Sequence, residues 1–296
     1  MNSFFIYLQQ VNIMKKLLKP LSAIFLLLFS FYYTNKVVEI VRETDPIMKE
    51  IRQSSKKYEV LPDNARIIGD NIIPGKAGKE VDYEKSYTRM KQYGTYNEAL
   101  TTFKEIEPII SINDYYDKYI IQGNTERKSV ALVFKITSNN NLQELINILN
   151  NKNIKTTFFI DGLFLENNTD LIKNLSNHEL ELLSYDQKYD ELYFNSALNY
   201  LASLTKENPK FCYAEYDQKE VLELCTKLKL HTIIPTIRVT DYPYKTIKGK
   251  LSNSSIISLP LTNQTINELP LIINYISQKG YSFLTLEELL SESFEK

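Results

Sequence analysis

The pattern of apolar and polar positions is most regular between residues 128 and 187. SVALVFKI, closing at Ile136, is a β-branched and aromatic run that predicts a buried strand over residues 130–136. Leu142, Leu145, Ile146 and Leu149 follow at helical spacing. KTTFFI predicts a second strand over 155–160, broken by Asp161-Gly162. Leu171, Ile172 and Leu175 mark another helix, and HELELL, 178–183, alternates as a third strand. Strands and helices alternating at these lengths imply βαβ units and a parallel sheet or barrel, an α/β fold.

The N-terminal part follows a different pattern. Lys15, Lys16 and Lys19 precede the apolar run LSAIFLLLFSFYY, 21–33. Counted from Leu17, the run approaches the roughly 17–25 residues a spanning helix needs. A secretory signal peptide has the same basic and apolar parts. The flank Tyr32-Tyr33-Thr34-Asn35-Lys36 lacks a small-x-small cleavage site, which favours an uncleaved anchor. The lysines precede the span, so the expectation is a single-pass cell-membrane protein, N-terminus inside and main domain extracytoplasmic. Met14 opens MKKLLK and is an alternative start to Met1.

Residues 37–58 are charged and helix-prone, with Val37, Ile40, Val41 and Ile47 as an apolar stripe that Asp45-Pro46 interrupts. They read as a stalk or as a contact helix for a partner. Residues 59–127 read as a small accessory α+β region. It holds a strand at 65–68, turn signals over 72–78, a helix over 82–93 capped by Asp82, and short strands at 109–112 and 119–122. Its tyrosines suit stacking on sugar rings, and ordinary half-burial explains them as well. The expected organisation is an anchor at 1–36 (span about 17–35), a stalk at 37–58, the accessory region at 59–127 and the main domain at 128–296.

Composition narrows the chemistry. A hydrophobic fraction of 43% supports a full core, and a net charge of -1 gives no argument for nucleic acid. The only cysteines, Cys212 and Cys225, exclude a disulfide framework and a thiolate zinc site. One bridge outside the cytoplasm and two separate buried thiols both remain open. Two histidines exclude a three-histidine metal site, and with 8 glycines a glycine-rich cofactor loop is not expected. Neither a Gly-x-Ser-x-Gly elbow nor a phosphate loop occurs.

TTFFIDG, NHELELLSYDQ and VALVFKIT, together with SSIISLP and the later ELPLIINYISQKGYSFLTLEELL, resemble the NodB-homology domain of polysaccharide deacetylases from about Lys128 onward. That resemblance implies a distorted (β/α) barrel. It also implies a bacterial envelope setting and a metal held by one Asp and two His, with a second Asp as base and a late His as acid. Carried over by position, the paired Asp residues fall on Lys135 and Ile136, and the metal histidines on Leu183 and Gln187. The family's Arg falls on Cys212, one acid of its late Asp pair on Arg238, and its catalytic His on Pro260.

Alkyl side chains cannot coordinate a metal, an ammonium repels one, and proline cannot act as an acid. The sequence therefore predicts a catalytically inactive relative that binds envelope glycan or an envelope partner and needs no cofactor. The alternative is an active deacetylase with rearranged residues, which would require a divalent metal such as zinc. Groove candidates are Lys135, Asp161, Asp186, Gln187, Tyr213, Glu215 and Asp241, with Lys135 expected to pair with Glu215 or Asp186. His178 is expected to be packed and hydrogen-bonded, and His231 to sit at a helix end or on the surface.

Overall fold

A computed structural model describes residues 24–294. Lys15, Lys16, Lys19, the Met14 start and the first part of the apolar run lie outside the described residues. The described residues form two compact units, one of 24–59 and 80–104, the other of 60–79 and 105–294. Residues 59–127 are thus shared between both units.

In the first unit, α1 (Ile24–Thr44) is long and apolar enough to cross a membrane, and it suits an anchor or a signal sequence. Val37, Ile40 and Val41 are exposed on this helix, so the apolar stripe expected to run on to Ile47 is not a packed face. Asp45 ends the helix and caps α2 (Pro46–Ser55), with Pro46 at a position where its missing N–H costs nothing. The Asp45 carboxylate also accepts from Tyr87 Oη (3.0 Å) and Lys91 Nζ (2.6 Å) on α3 (Tyr83–Tyr93). Ile47, Ile51, Val81 and Met90 form the small core of this unit.

The second unit is an α/β barrel with open seams. Its early strands are β1 (Arg66–Ile68), β2 (Asn71–Ile73) and β5 (Tyr119–Ile120); β3 (Gly78–Val81) and β4 (Phe103–Ile106) straddle the chain boundaries between units. The repeating part begins with β6 (Ser129–Ile136), α4 (Leu142–Asn151), β7 (Thr157–Asp161), α5 (Gly162–Asn167), α6 (Thr169–Lys173) and β8 (Glu179–Ser184). It continues through α7 (Glu191–Thr205), β9 (Phe211–Tyr213), α8 (Lys219–Lys227), β10 (His231–Ile233), β11 (Ile237–Arg238) and α9 (Pro243–Lys250). β12 (Ser255–Leu259), α10 (Asn263–Gln278), β13 (Ser282–Leu284) and α11 (Leu286–Leu290) complete it.

One sheet has the order β11-β12-β6-β7-β8, with β13 also on β6; the other runs β1-β2-β5-β10-β9. All pairs are parallel except β1–β2. Ladder bonding stops between β8 and β9. It stops again between β10 and β11, where Pro235 interrupts the apolar run HTIIPTI, 231–237. The strand expected over 109–112 does not form; Ile112–Asp114 is a short 3-10 turn capped by Ser111.

β6 shows why both strand faces are apolar. Val130, Leu132, Phe134 and Ile136 pack into the larger core with the helices, while Ala131 and Val133 join Phe159, Tyr213, Ile233 and Ile256 in a second core. Period-two alternation places Lys135 on this second face, at the strand's C-terminal end. Gly162 is required at the start of α5. A Cβ there would lie 2.7 Å from Tyr185 Cδ2 and 2.8 Å from Ala197 Cβ.

β8 carries a buried acid, Glu181, and a half-buried one, Glu179, that its alternation alone does not explain. Glu181 accepts from the backbone N–H groups of Lys210 (2.8 Å) and Phe211 (3.0 Å), bridging the open β8–β9 seam. Glu179 accepts from Thr157 Oγ1 and from the N–H groups of Leu286 (2.7 Å) and Glu287 (3.0 Å). Burial raises both carboxyls, Glu179 to about 7. Glu179 therefore holds its proton in the folded chain at pH values where the unfolded chain has lost it. Its contribution to stability is complete below about pH 4.5 and is lost as pH rises through about 7. Thermal unfolding should accordingly show stability falling by up to about 3 kcal/mol between pH 5 and 8. Glu179→Gln should make that fall shallower, with Glu181 still contributing in the same direction, and a wild-type profile rising over the same window would contradict the assignment.

Candidate functional site

The C-terminal ends of β6, β8, β9 and β12 surround a cavity of about 370 Å³. Lys135, Leu183, Gln187, Tyr213, Glu215 and Pro260 are among its lining residues. The ends of parallel strands are where barrels of this kind present their loops to ligands.

A polar cluster occupies one wall. The Lys135 ammonium pairs with Glu215 Oε1 and lies 5.2 Å from the centre of the Tyr213 ring. Glu215 Oε2 accepts from the Tyr213 hydroxyl (3.2 Å) and lies 3.6 Å from Arg238 Nη1, which also donates to the Glu215 carbonyl (2.7 Å). The Tyr213 hydroxyl contacts Ser258 Oγ at 2.8 Å. Burial, with the neighbouring Glu215 charge, raises the Tyr213 phenol, so it stays protonated. The side chains of Lys135 and Glu215 are about one third exposed, 35% and 31%, so the pair is reachable from solvent.

The other named positions are spread around this cluster. Asp161 is buried and is not among the cavity's lining residues. It accepts from Ser184 Oγ (2.7 Å) and from the N–H groups of Leu163 (3.1 Å) and Gln187 (3.1 Å), capping α5 and clamping the loop after β8. Asp186 pairs with Lys188 (3.5 Å) rather than with Lys135. Asp241 is exposed ahead of α9 and is not on the cavity lining. Cys212 faces the helices and is disulfide-bonded to Cys225 of α8. Of the bridge and the two free thiols left open by the sequence, the structure has the bridge.

A divalent metal does not fit these residues. Ile136 is fully buried in the helix-facing core, Leu183 offers only carbon, and Lys135 places an ammonium beside the one carboxylate of the cavity. Among the described residues no three His, Cys, Asp or Glu side chains are grouped so as to hold a metal ion. His178 is buried edge-on to Phe158 at 5.1 Å, with no protein partner on either ring nitrogen, so it is packed but not hydrogen-bonded. His231 is also buried, stacked on Tyr116, and not at the surface.

Ser258, Ser184 and Tyr189 contribute to the site although nothing about them is distinctive in isolation. Ser258 was legible from period two alone, because Ile256 and Ser258 share the inward face of β12.

Residues 122–253 match the polysaccharide deacetylase family. YlxY of Bacillus subtilis (strain 168), an uncharacterized protein, is 26% identical over 86% of this chain and 87% of its own length. The peptidoglycan-N-acetylmuramic acid deacetylase PdaA of the same organism is 24% identical over 62% of this chain and 78% of its own. The crystal structure of BA3943 from Bacillus anthracis, a CE4 family pseudoenzyme, covers 84% of this chain and 96% of its own at a TM-score of 0.65 and 24% identity. Residues 122–253 thus resemble a polysaccharide deacetylase domain, and the chain shares the NodB-like α/β fold of these structures.

Proposed function

We propose that this chain is a membrane-anchored, extracytoplasmic, deacetylase-like protein that binds cell-envelope glycan without deacetylating it. The observation that carries this reading is the Lys135–Glu215–Tyr213 cluster on the groove wall, where the family's mechanism calls for a metal and a base. An ammonium already paired with a carboxylate neither binds a dication nor accepts a proton. The groove nevertheless keeps features suited to a sugar. Its lining includes Tyr189, Ser184, Thr137 and Ser138, and outside that lining Tyr216, next to Glu215 in sequence, and Tyr242, four residues past β11, are 61% and 67% exposed. Aromatic faces beside hydroxyl groups suit pyranose rings. The apolar α1 supports the anchor, and the Cys212–Cys225 bridge supports an oxidising compartment.

The full chain in detergent should be retained on acetylated cell-wall glycan while releasing no acetate, with or without zinc. Tyr216→Ala/Tyr242→Ala should weaken retention on the order of tenfold, by analogy with aromatic anchors elsewhere. Chelator-sensitive acetate release would overturn the reading in favour of an active deacetylase. Absence of any glycan retention would shift it to a protein partner.

A further inference from the structure

The opposite end of the barrel holds a larger cavity, of about 580 Å³, within the roughly 300–1,000 Å³ typical of small-molecule sites. It lies where β9 and β10 begin, at Phe211 and His231, against α11 and the segment 111–116. Its walls are fixed from behind. Glu181 holds the backbone of Lys210 and Phe211, and Glu179 holds that of Leu286 and Glu287. These anchored walls make it a preformed hollow rather than a gap between mobile loops.

One wall is aromatic. The Tyr116 and His231 rings stack at 4.4 Å with planes 15° apart, and the Phe211 ring lies 6.2 Å from His231. His231 is 7% exposed and places Nε2 3.3 Å from Asn113 Oδ1. Burial lowers it to about 4, so it adds no positive charge at neutral pH.

The charges of the lining do not balance. Glu287 is matched by Lys210 at 2.6 Å. Among the described residues Glu292 is held only by neutral donors, the Ser111 hydroxyl and the N–H groups of Gly75 (2.7 Å) and Ile112 (3.3 Å). Glu105 accepts from the Phe294 N–H, and Glu107 has no ion pair among the described residues. Among the described lining residues, Lys229 is the one cation left against these three carboxylates. A hollow with excess negative charge beside an aromatic wall is complementary to a cation with a flat face.

We infer that this cavity is a second ligand site, separate from the Lys135 groove, that takes a small molecule carrying a primary ammonium on a body with one flat or apolar face. A free amino sugar and a lysine-type amine share this chemistry. The inference does not depend on what the Lys135 groove binds.

The test is an NMR or calorimetric titration of the full chain in detergent with glucosamine and with Nα-acetyl-lysine amide. N-acetylglucosamine and the Nε-acetylated lysine serve as neutral counterparts. At least one amine should bind with Kd on the order of 0.1–5 mM, about tenfold or more tighter than its acetylated form. Which amine shows that preference identifies the source. Glu107→Gln, at an exposed position, should weaken binding at least about threefold without lowering the melting temperature, while Lys135→Ala leaves it unchanged. The inference is overturned if neither amine binds at 10 mM-scale concentrations, about the upper limit of useful affinity. It is equally overturned if acetylated and free forms bind alike, or if Glu107→Gln has no effect and Lys135→Ala abolishes binding.

Discussion

Titrated with zinc, the wild-type chain shows no saturable binding at micromolar concentrations, whereas Lys135→Asp/Ile136→Asp/Leu183→His/Gln187→His binds zinc at one equivalent. The expected change in affinity is several orders of magnitude. In the wild type the cavity offers one carboxylate, Glu215, and that group is already shared by Lys135, Tyr213 and Arg238. Zinc sites are built from three or four imidazole, thiolate or carboxylate ligands, and no such set exists here among the described residues. The four substitutions remove the repelling ammonium and supply two imidazoles and two carboxylates around the ends of β6 and β8. Position 136 is fully buried, so a carboxylate there is costly until a cation neutralises it. The quadruple variant should therefore melt several degrees lower than wild type in chelator and recover with zinc. Micromolar zinc binding by the wild type would mean that other ligands serve, and the inactive reading would fall. Failure of a folded quadruple variant to bind would place the divergence in the backbone as well as in the side chains.

Removal of the Cys212–Cys225 bridge should give the largest loss of stability available from a single covalent change. The two cysteines are 13 residues apart in sequence, and closing a loop of this size stabilises by about 3 kcal/mol in the chain-entropy description. The bridge ties β9 to α8, and both sulfur atoms belong to side chains with at most 1% exposure. Cys212→Ala/Cys225→Ala, or reduction in a partly unfolding buffer, should lower the melting temperature by about 6–12 °C for a domain of this size. The residues at the front of β9 sit on the other face of the strand, so the groove cluster should persist at low temperature. An unchanged melting temperature would show that Val221 and Leu224 alone hold α8 in place.

The strands and helices most legible in the sequence are those whose side chains carry the pattern on their own. β6, α4, β7 and β8 follow directly from their runs of β-branched, aromatic and alternating residues. The 109–112 segment is apolar enough for a strand, yet it is pinned by long-range bonds. Asn64 Oδ1 accepts from Ile109 N–H (2.8 Å) and Ile110 N–H (3.1 Å), and no ladder partner remains for it. The two acids of β8 were visible as letters, but the withdrawal of Glu181, and in part Glu179, from solvent was not. What makes it tolerable is backbone N–H groups donated by residues 29–30 and 107–108 positions away. In the groove, the meeting of Lys135 and Glu215 follows from their places at strand ends, 80 residues apart. The removal of Asp161 to a structural role follows from the loop after β8, whose left-handed residues Asp186 and Gln187 turn their N–H groups onto its carboxylate. Such loop geometry has no periodic signature to read.

Glu292 accepts from Gly75 across 217 positions, and β2 and β5 wait for β10, more than a hundred residues later, to complete their sheet. β1, β2 and β5 can pair with one another early, but the far edge of β5 has no partner until β10, at residues 231–233, has been made. Loop closure of that length must precede the contacts that reward it, which slows folding and prolongs exposure of unpaired strand edges. The order of synthesis thus leaves one edge of β5 open while the next hundred or so residues are added, a template on which another strand can pair wrongly.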